Sequence, residues 1–325
     1  MPTWLVTNLF EAVKRVSGET RCFFKPGARV AVKLHMGEKG GKYFLNPEIA
    51  TQIVAVLKSH GYKPFLFDTP VIYPGGRNTA KKYLQTAASH GYTEEKIGCP
   101  IVVSDESISF EIEKFTYGVA KEIAQSDGLF VLSHVKGHEC TGVGGAIKNL
   151  GMGGVDKETK RAMHTLAKPE LVGECSGCGE CKKVCPEKSI TILGRKIKIK
   201  GVCYGCNICV SNCPNRALTP KDRRIEFFIA QAAAAVVRSV PKVYGVNVLQ
   251  KITDHCDCYT GELPIVAPDL GFVGGTDLVA LDQASIDLID QKAGKKVFEE
   301  LYHKSPKIQL EEAARLGVGK LEAIS

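Results

Sequence analysis

The residues with the most chemistry in this 325-residue chain are its cysteines. "CSGCGECKKVCP" at 175–186 returns 28 residues later as "CYGCNICVSNCP" at 203–214. Both copies read C-x2-C-x2-C-x3-C-P. Three evenly spaced thiolates can wrap one face of an iron–sulfur cube, and the proline turns the fourth cysteine toward a neighbouring cube. The spacing therefore predicts two [4Fe–4S] clusters. Cys175, Cys178, Cys181 and Cys213 would hold the first, and Cys185, Cys203, Cys206 and Cys209 the second. Gly177, Gly179 and Gly205 would let backbone N–H groups approach the sulfurs, which helps set the potential. Structural zinc is the competing reading of C-x2-C pairs. Zinc takes its four ligands as two pairs, however, and has no use for a third evenly spaced cysteine before C-P.

A second reactive group precedes the repeats, in "HVKGHECTGVGGAIKNLGMGG" at 134–154. His134, His138 and Cys140 follow the apolar run "GLFVLSHV", which reads as a strand. Open α/β sheets bind ligands beyond the carboxyl ends of their strands, so these side chains are expected at a site. Gly142, Gly144 and Gly145 would let backbone N–H groups line a concavity for an anion. Lys148 would neutralise that anion or exchange a proton with it, and Asn149 would donate to an oxyanion. The pattern is neither G-x-G-x-x-G nor a Walker A loop, so it implies no nucleotide. A glycine hinge with histidines satisfied by backbone is the plainer alternative. So many reactive side chains at one strand end favour a site, with His134, His138, Cys140 and Lys148 as catalytic candidates.

"DHCDCYTG" at 254–261 adds Cys256 and Cys258, beside His255 and Asp257. A C-x-C pair reads as a third metal centre or a redox dithiol, against the alternative of turn cysteines without a role. Lys33 and His35 end the first predicted strand and either join the same site or form a solvated pair. Arg77, in "YPGGRNTAKK", reads as a residue of a solvated turn. Cys22 and Cys99, alone among apolar neighbours, read as core residues.

These groups need a frame. Near-continuous apolar runs at 28–36, 63–70, 99–105 and 128–135 alternate with helical stretches at 46–61 and 78–91. Such strands belong in a mostly parallel sheet covered on both faces. Asn46 as cap, Pro47 at the first helical position and Gly61 as a stop delimit the first of those helices. Beyond the cysteines, 224–240 reads as a helix, 242–252 as a strand, 275–290 as a helix capped by Thr276, and 307–317 as an amphipathic helix. The expected fold class is thus an α/β body in two parts, 1–170 and 219–325, with the cysteine segment 171–218 inserted between them. Within the insert, lysine and isoleucine alternate from Lys196 to Lys200, the period of a half-buried strand.

Bulk composition removes several classes. A 44% hydrophobic and 24% charged chain is no disordered polymer. No apolar run approaches the roughly 18 residues of a membrane-spanning helix. "FFIAQAAAAVV" at 227–237 is interrupted by Gln231 and reads as a buried helix. The start "MPTWLVTNLFEAVKR" lacks the features of a signal peptide, so a cytoplasmic location is expected. A reducing compartment also favours metal ligation over disulfides for most of the thirteen cysteines. The net charge of +8 suggests nucleic acid at first sight. Yet 171–218 holds eight basic and three acidic residues. Two oxidised clusters on eight thiolates would add about −4 there, so no nucleic-acid partner is expected.

The cysteine repeats resemble those of bacterial-type two-cluster ferredoxins. The rest of the chain resembles the iron–sulfur family called domain of unknown function 362. That likeness is carried by "VKLHMGEKG", "DTPVIYPGGRNTA", the 134–154 stretch, "CDC" at 256–258 and "PDLGFVGGTDLVALDQAS". Gly275 and Leu278 depart from the serine or lysine and the proline of its pattern. The resemblance implies a ferredoxin-like segment between two portions of an α/β body, and no settled reaction. The expected function is an oxidoreductase whose clusters exchange electrons between a partner protein and a small anionic substrate, or a metal site, on the body. One alternative is an electron, metal or cluster carrier that docks a partner. The other is a redox-neutral enzyme resembling lactate racemase, a nickel-pincer enzyme with a similar glycine and lysine loop beside histidines.

Overall fold

The computed structural model describes residues 3–321. Seven strands form one sheet: β1 (Trp4–Val6), β2 (Arg29–Lys33), β3 (Lys63–Asp68), β4 (Ile101–Val103), β5 (Gly128–His134), β6 (Val243–Leu249) and β7 (Gly271–Gly275). Their order across the sheet is β1-β7-β6-β5-β2-β3-β4. The five strands from β6 to β4 run parallel, and β7 lies antiparallel to both β6 and β1. Successive residues enter opposite cores. Val30, Val32, Leu66, Phe130 and Leu132 face one core, which the Leu9–Thr20 and Pro47–Ser59 helices cover. Ala31, Phe65, Phe67, Leu129 and Val131 face the other, under the Ala146–Gly153, Ile225–Arg238 and Leu278–Ala293 helices. Burial on both faces is why these strands read as unbroken apolar runs.

The five predicted strands all lie in the sheet; β1 and β7 were not foreseen. β7 reads "GFVGG", poor in β-formers, because a Cβ on Gly274 would stand 2.2 Å from the Trp4 ring. The indole occupies the space that side chains fill elsewhere. A hairpin, Ser107–Ile112 with Phe115–Ala120, is a further element that the sequence reading passed over. Asn46 caps the second helix as expected, accepting the Glu48 N–H at 3.0 Å. The Leu278–Ala293 helix is capped by Asp277, not Thr276: the Asp277 carboxylate accepts the Ala280 N–H at 2.9 Å. Ile225–Arg238 is the buried helix expected from its alanine run. It lies so close to Gly151 that a Cβ there would meet the Ile229 carbonyl oxygen at 2.3 Å.

The cysteine segment lies in the chain between β5 and β6, neighbours in one sheet. Its ends pair as short strands, Pro169–Leu171 with Leu218–Pro220. The repeat in sequence is also a repeat in backbone. Gly179 and Asn207 both take left-handed conformations (φ 83° and 59°), as do Lys188 and Arg216 (both 49°). Between the copies, Ile190–Leu193 pairs with Lys196–Ile199, whose lysines are exposed and isoleucines half-buried.

Candidate functional site

The chain passes from β2 out to β3 and β4, then returns to lay β5 on the other side of β2. A reversal of this kind opens a crevice at the carboxyl ends of the strands. A cavity of about 390 Å³ lies there. Lys33, Asp68 and His134, the last residues of β2, β3 and β5, all line it. Lys33 is buried, not solvated: its ammonium pairs with Asp68 at 3.0 Å and donates to Asn149 Oδ1 at 2.6 Å. Burial lowers the Lys33 pKa, with Asp68 opposing. The Asn149 amide donates to the Leu132 carbonyl (3.2 Å) and Ser133 Oγ (3.0 Å). Its donors are therefore occupied in closing the gap between β2 and β5, leaving none aimed at a substrate.

The glycine turn has two functions that local sequence did not reveal. Lys136–His138 and Gly142–Gly144 form a hairpin, in which Gly142 takes a φ of 74° and abuts Pro306. Gly145 then starts the Ala146–Gly153 helix, and the first N–H groups, of Ala146 and Ile147, donate to the Asp282 carboxylate at 2.7 and 2.9 Å. The helix start just beyond the glycines is thus occupied by the protein's own carboxylate, while Gly144 and Gly145 line the strand-end cavity. Burial raises Asp282 to about 6 despite those donors and Asn247. Lys148, one turn on, enters the cavity and has no hydrogen-bond or ion-pair partner among the described residues. Burial acts to lower its pKa, but Cys256, Cys258 and Glu139 outweigh it and the net shift is upward.

The two histidines separate in role. His134 contacts Asp257 through Nδ1 (3.0 Å) and the Gln250 carbonyl through Nε2 (2.7 Å). Both nitrogens are occupied, so His134 anchors the 254–259 loop. His138 accepts the Cys140 N–H on Nδ1 at 3.1 Å. Burial, aided by Lys148, pushes its pKa well down, so the ring is neutral and carries its proton on Nε2. His138, Glu139 and Cys140 have ligand atoms within 4.8 Å of one another. Burial raises the pKa of both Glu139 and Cys140.

Arg77 corrects the sequence reading outright: it is 1% exposed, not a solvated turn residue. Its guanidinium donates to Glu38 Oε2 at 3.0 Å and to Cys258 Sγ at 3.2 Å. It also meets His35 Nε2 at 2.5 Å and the Tyr73 hydroxyl. A Cβ on Gly76 would collide with Lys39 Cβ at 2.6 Å and Glu38 Oε1 at 2.9 Å, which is why glycine precedes the arginine. That glycine pair was the available signal. His35 joins the site through this contact, and its Nδ1 accepts the Gly37 N–H at 3.1 Å. A hydrogen bond from Cys256, with Arg77 and His35, holds the Cys258 thiol well below its usual range, while Cys256 is driven up. Cys99 is buried as expected, whereas Cys22 is exposed, at the end of the first helix and outside the core.

Lys160 is another lysine that the sequence reading missed. Buried against Thr69 Oγ1 (2.5 Å) and the Pro70 carbonyl (2.7 Å), it lines the cavity and is lowered by burial to about 7, with Asp68 opposing. Between pH 7 and 10.5 the folded chain therefore holds less of this proton than the unfolded chain does. Stability should rise with pH there by about 1.4 kcal/mol per unit from this group. Compared with Lys160→Met, the wild type should gain about 2 kcal/mol between pH 7 and 9, read from urea midpoints. A constant difference would contradict the assignment.

Cys175, Cys178, Cys181 and Cys213 together line one small cavity. Burial raises Cys181, and Cys175, Cys178 and Cys213 add to the shift. Burial likewise raises Cys209 to about 12, followed by Cys206, Cys203 and Cys185. Backbone N–H groups of Gly177, Ser189 and Ala217 reach the sulfurs of Cys175, Cys185 and Cys213 at 3.3–3.4 Å. Tyr204 and Glu187, chain neighbours of Cys203 and Cys185, are part of the wall of the large cavity. His164 Nδ1 lies 2.8 Å from the Tyr204 carbonyl. Buried Lys304 donates to the carbonyls of both Cys140 and Cys206 (the latter at 3.0 Å) and pairs with Glu226 at 3.0 Å. Cys178, of the first set, is exposed.

A family model described as "Domain of unknown function (DUF362)" matches residues 30–287. No curated protein matches the chain. Two solved structures are similar to it. A protein from Thermotoga maritima is 9% identical with a TM-score of 0.48, the match covering 96% of this chain and 60% of that one. The lactate racemase apoprotein from Thermoanaerobacterium thermosaccharolyticum is 14% identical with a TM-score of 0.36, covering 75% and 50% respectively. No helix among the described residues is long and apolar enough to cross a membrane.

Proposed function

From the premise that the chain belongs to the DUF362 family, we propose that it is an iron–sulfur oxidoreductase acting on a small anion in the strand-end cavity. The observation that carries this reading is that the loops carrying the second cysteine set supply part of the cavity wall. Tyr204 and Glu187 line the cavity, and Lys304 ties the Cys206 carbonyl to that of Cys140. A ferredoxin-like unit that served only as a soluble wire would have no reason to be fastened there.

The cysteine sets fit two cubanes. Four sulfurs of the first set face one cavity, and backbone N–H groups reach Cys175, Cys185 and Cys213. Tetrahedral zinc would draw its thiolates to about 3.8 Å of one another. Among the described residues, the trio of ligand atoms found within 4.8 Å includes none of the eight. Two [4Fe–4S] clusters would supply single-electron storage and transfer.

The remaining roles belong to side chains. Lys148, a cation without a partner, holds the charge of the substrate. His138, neutral with its proton on Nε2, offers that N–H as a hydrogen-bond donor where charge builds on the substrate. His134 and Asp257 fix the facing loop. Exposed Cys178 marks the outer set as the end at which a protein donor or acceptor docks.

The test is anaerobic. Iron-loaded protein, reduced with dithionite and freed of excess, is mixed with a panel of small carboxylate acceptors while the visible absorbance is followed. At least one acceptor should reoxidise the protein at a saturable rate, and that acceptor should also protect Lys148 from amine modification. Reoxidation by external dyes alone, with no saturable acceptor, would favour the carrier reading.

A further inference from the structure

Cys256 and Cys258 face the cavity from a turn closed by the Tyr259 N–H on the Cys256 carbonyl at 3.0 Å. The residue between them is held, with Asp257 bound to His134 at 3.0 Å and Lys136 at 3.4 Å. The Asp257 carbonyl also accepts the Glu38 N–H at 3.2 Å. The loop is thus anchored from three directions while its two thiols are left hydrogen-bonded to each other. A guanidinium sits on one of them: Arg77 Nη2 donates to Cys258 Sγ at 3.2 Å, and His35 Nε2 lies 3.5 Å away. Arg77 is itself pinned by Glu38 and Tyr73, so the positive charge cannot swing away. It also opposes a metal at this position, because the guanidinium repels a cation and competes for the same sulfur lone pairs.

We propose that Cys256 and Cys258 form a redox-active dithiol that reduces small disulfides entering the cavity, with Cys258 as the attacking sulfur and Cys256 as the resolving one. Cys258 as thiolate attacks one sulfur of R–S–S–R. The S–S bond breaks, RS⁻ leaves, and Cys258–S–S–R forms. The Cys256 thiol passes its proton to the departing RS⁻ and, as thiolate, attacks the Cys258 sulfur. A second RS⁻ leaves. The substrate has gained two electrons and become RSH and RS⁻, and the pair has lost two and closed to Cys256–S–S–Cys258. This activity does not depend on whether the cysteine repeats hold iron. The polarity follows from placement: Cys258 is half-buried and held by Arg77, while Cys256 lies deeper.

The full chain, prepared anaerobically with its metal retained, supplies the test. At pH 6, iodoacetamide should label Cys258 about a hundredfold faster than exposed Cys22, an internal reference thiol, because the attacking species is the thiolate. One equivalent of 4,4′-dithiodipyridine should release two thiopyridones and leave the peptide carrying both residues two hydrogens lighter. Cys256→Ser should release one and retain a pyridyl mixed disulfide on Cys258. The proposal is overturned if Cys258 reacts no faster than Cys22, if the probe labels Cys256 first, or if both thiols react only after chelation or unfolding. The first two measurements need no variant, so a failure of Cys256→Ser to fold leaves them decisive.

Discussion

Cys206→Ser should yield a folded chain that retains about four irons where the wild type holds about eight, and that no longer passes electrons into the cavity. Cys206 belongs to the set whose loop carries Tyr204, and its own carbonyl is fastened to Lys304. Losing one thiolate of four removes the anchoring of the inner cluster and leaves Cys175, Cys178, Cys181 and Cys213 untouched. Reoxidation by a cavity acceptor should fall at least about a thousandfold, since in the proposed arrangement electrons reach the cavity through the loops of the inner set, which carry Tyr204 and Glu187. Cys178→Ser makes the opposite cut. It should also cost about four irons, yet dithionite, being small, should still charge the inner set and support turnover. What should fail, if a protein donor docks as proposed beside exposed Cys178, is reduction by that donor. Iron analysis with stopped-flow reoxidation of both variants checks the asymmetry. Equal losses with the small reductant would mean that the two sets are not arranged in series.

Lys148→Met should leave the iron content unchanged and reduce acceptor-dependent reoxidation about a hundredfold or more, chiefly by raising the acceptor concentration needed. Methionine keeps most of the side-chain volume and removes the charge. Lys33 is committed to Asp68 and Asn149, Lys136 to Asp257, and Lys304 to Glu226. Lys148 alone among these buried or half-buried lysines is left facing the cavity without a partner. A charge-assisted hydrogen bond to a desolvated anion contributes roughly 1.5–3 kcal/mol, and a placed cation contributes more as charge builds on the substrate. Steady-state rates over a range of acceptor concentrations separate the two effects. Unchanged kinetics would remove Lys148 from the site.

What the sequence disclosed and what it concealed differ by the distance over which the relevant partners act. The meeting of Cys175, Cys178, Cys181 and Cys213 at one small cavity was legible because all four lie within one repeat or the next. The Asn46–Pro47 start was legible for the same reason, its hydrogen bond reaching only to Glu48. The use of the helix start beyond the glycine turn was hidden because the carboxylate that takes its N–H groups, Asp282, comes from a helix more than 130 residues later. Arg77 was misjudged because a turn rich in glycine and polar residues looks solvated until Glu38 and Cys258 close over it. Asn149 looked like a donor to substrate, and its amide instead joins two strands that only the sheet order makes adjacent. The α/β alternation pointed to a mostly parallel sheet. It could not announce β7, whose glycines exist to admit Trp4.

The oxidoreductase reading of the cavity, unlike the Cys256–Cys258 dithiol, presumes that the cysteine repeats hold iron. The most direct test is metal analysis together with EPR on protein purified without oxygen. The account predicts about eight irons and matching acid-labile sulfide per chain, with a signal under dithionite from two interacting reduced clusters. A folded, colourless chain carrying about two zinc ions and giving no signal would contradict it.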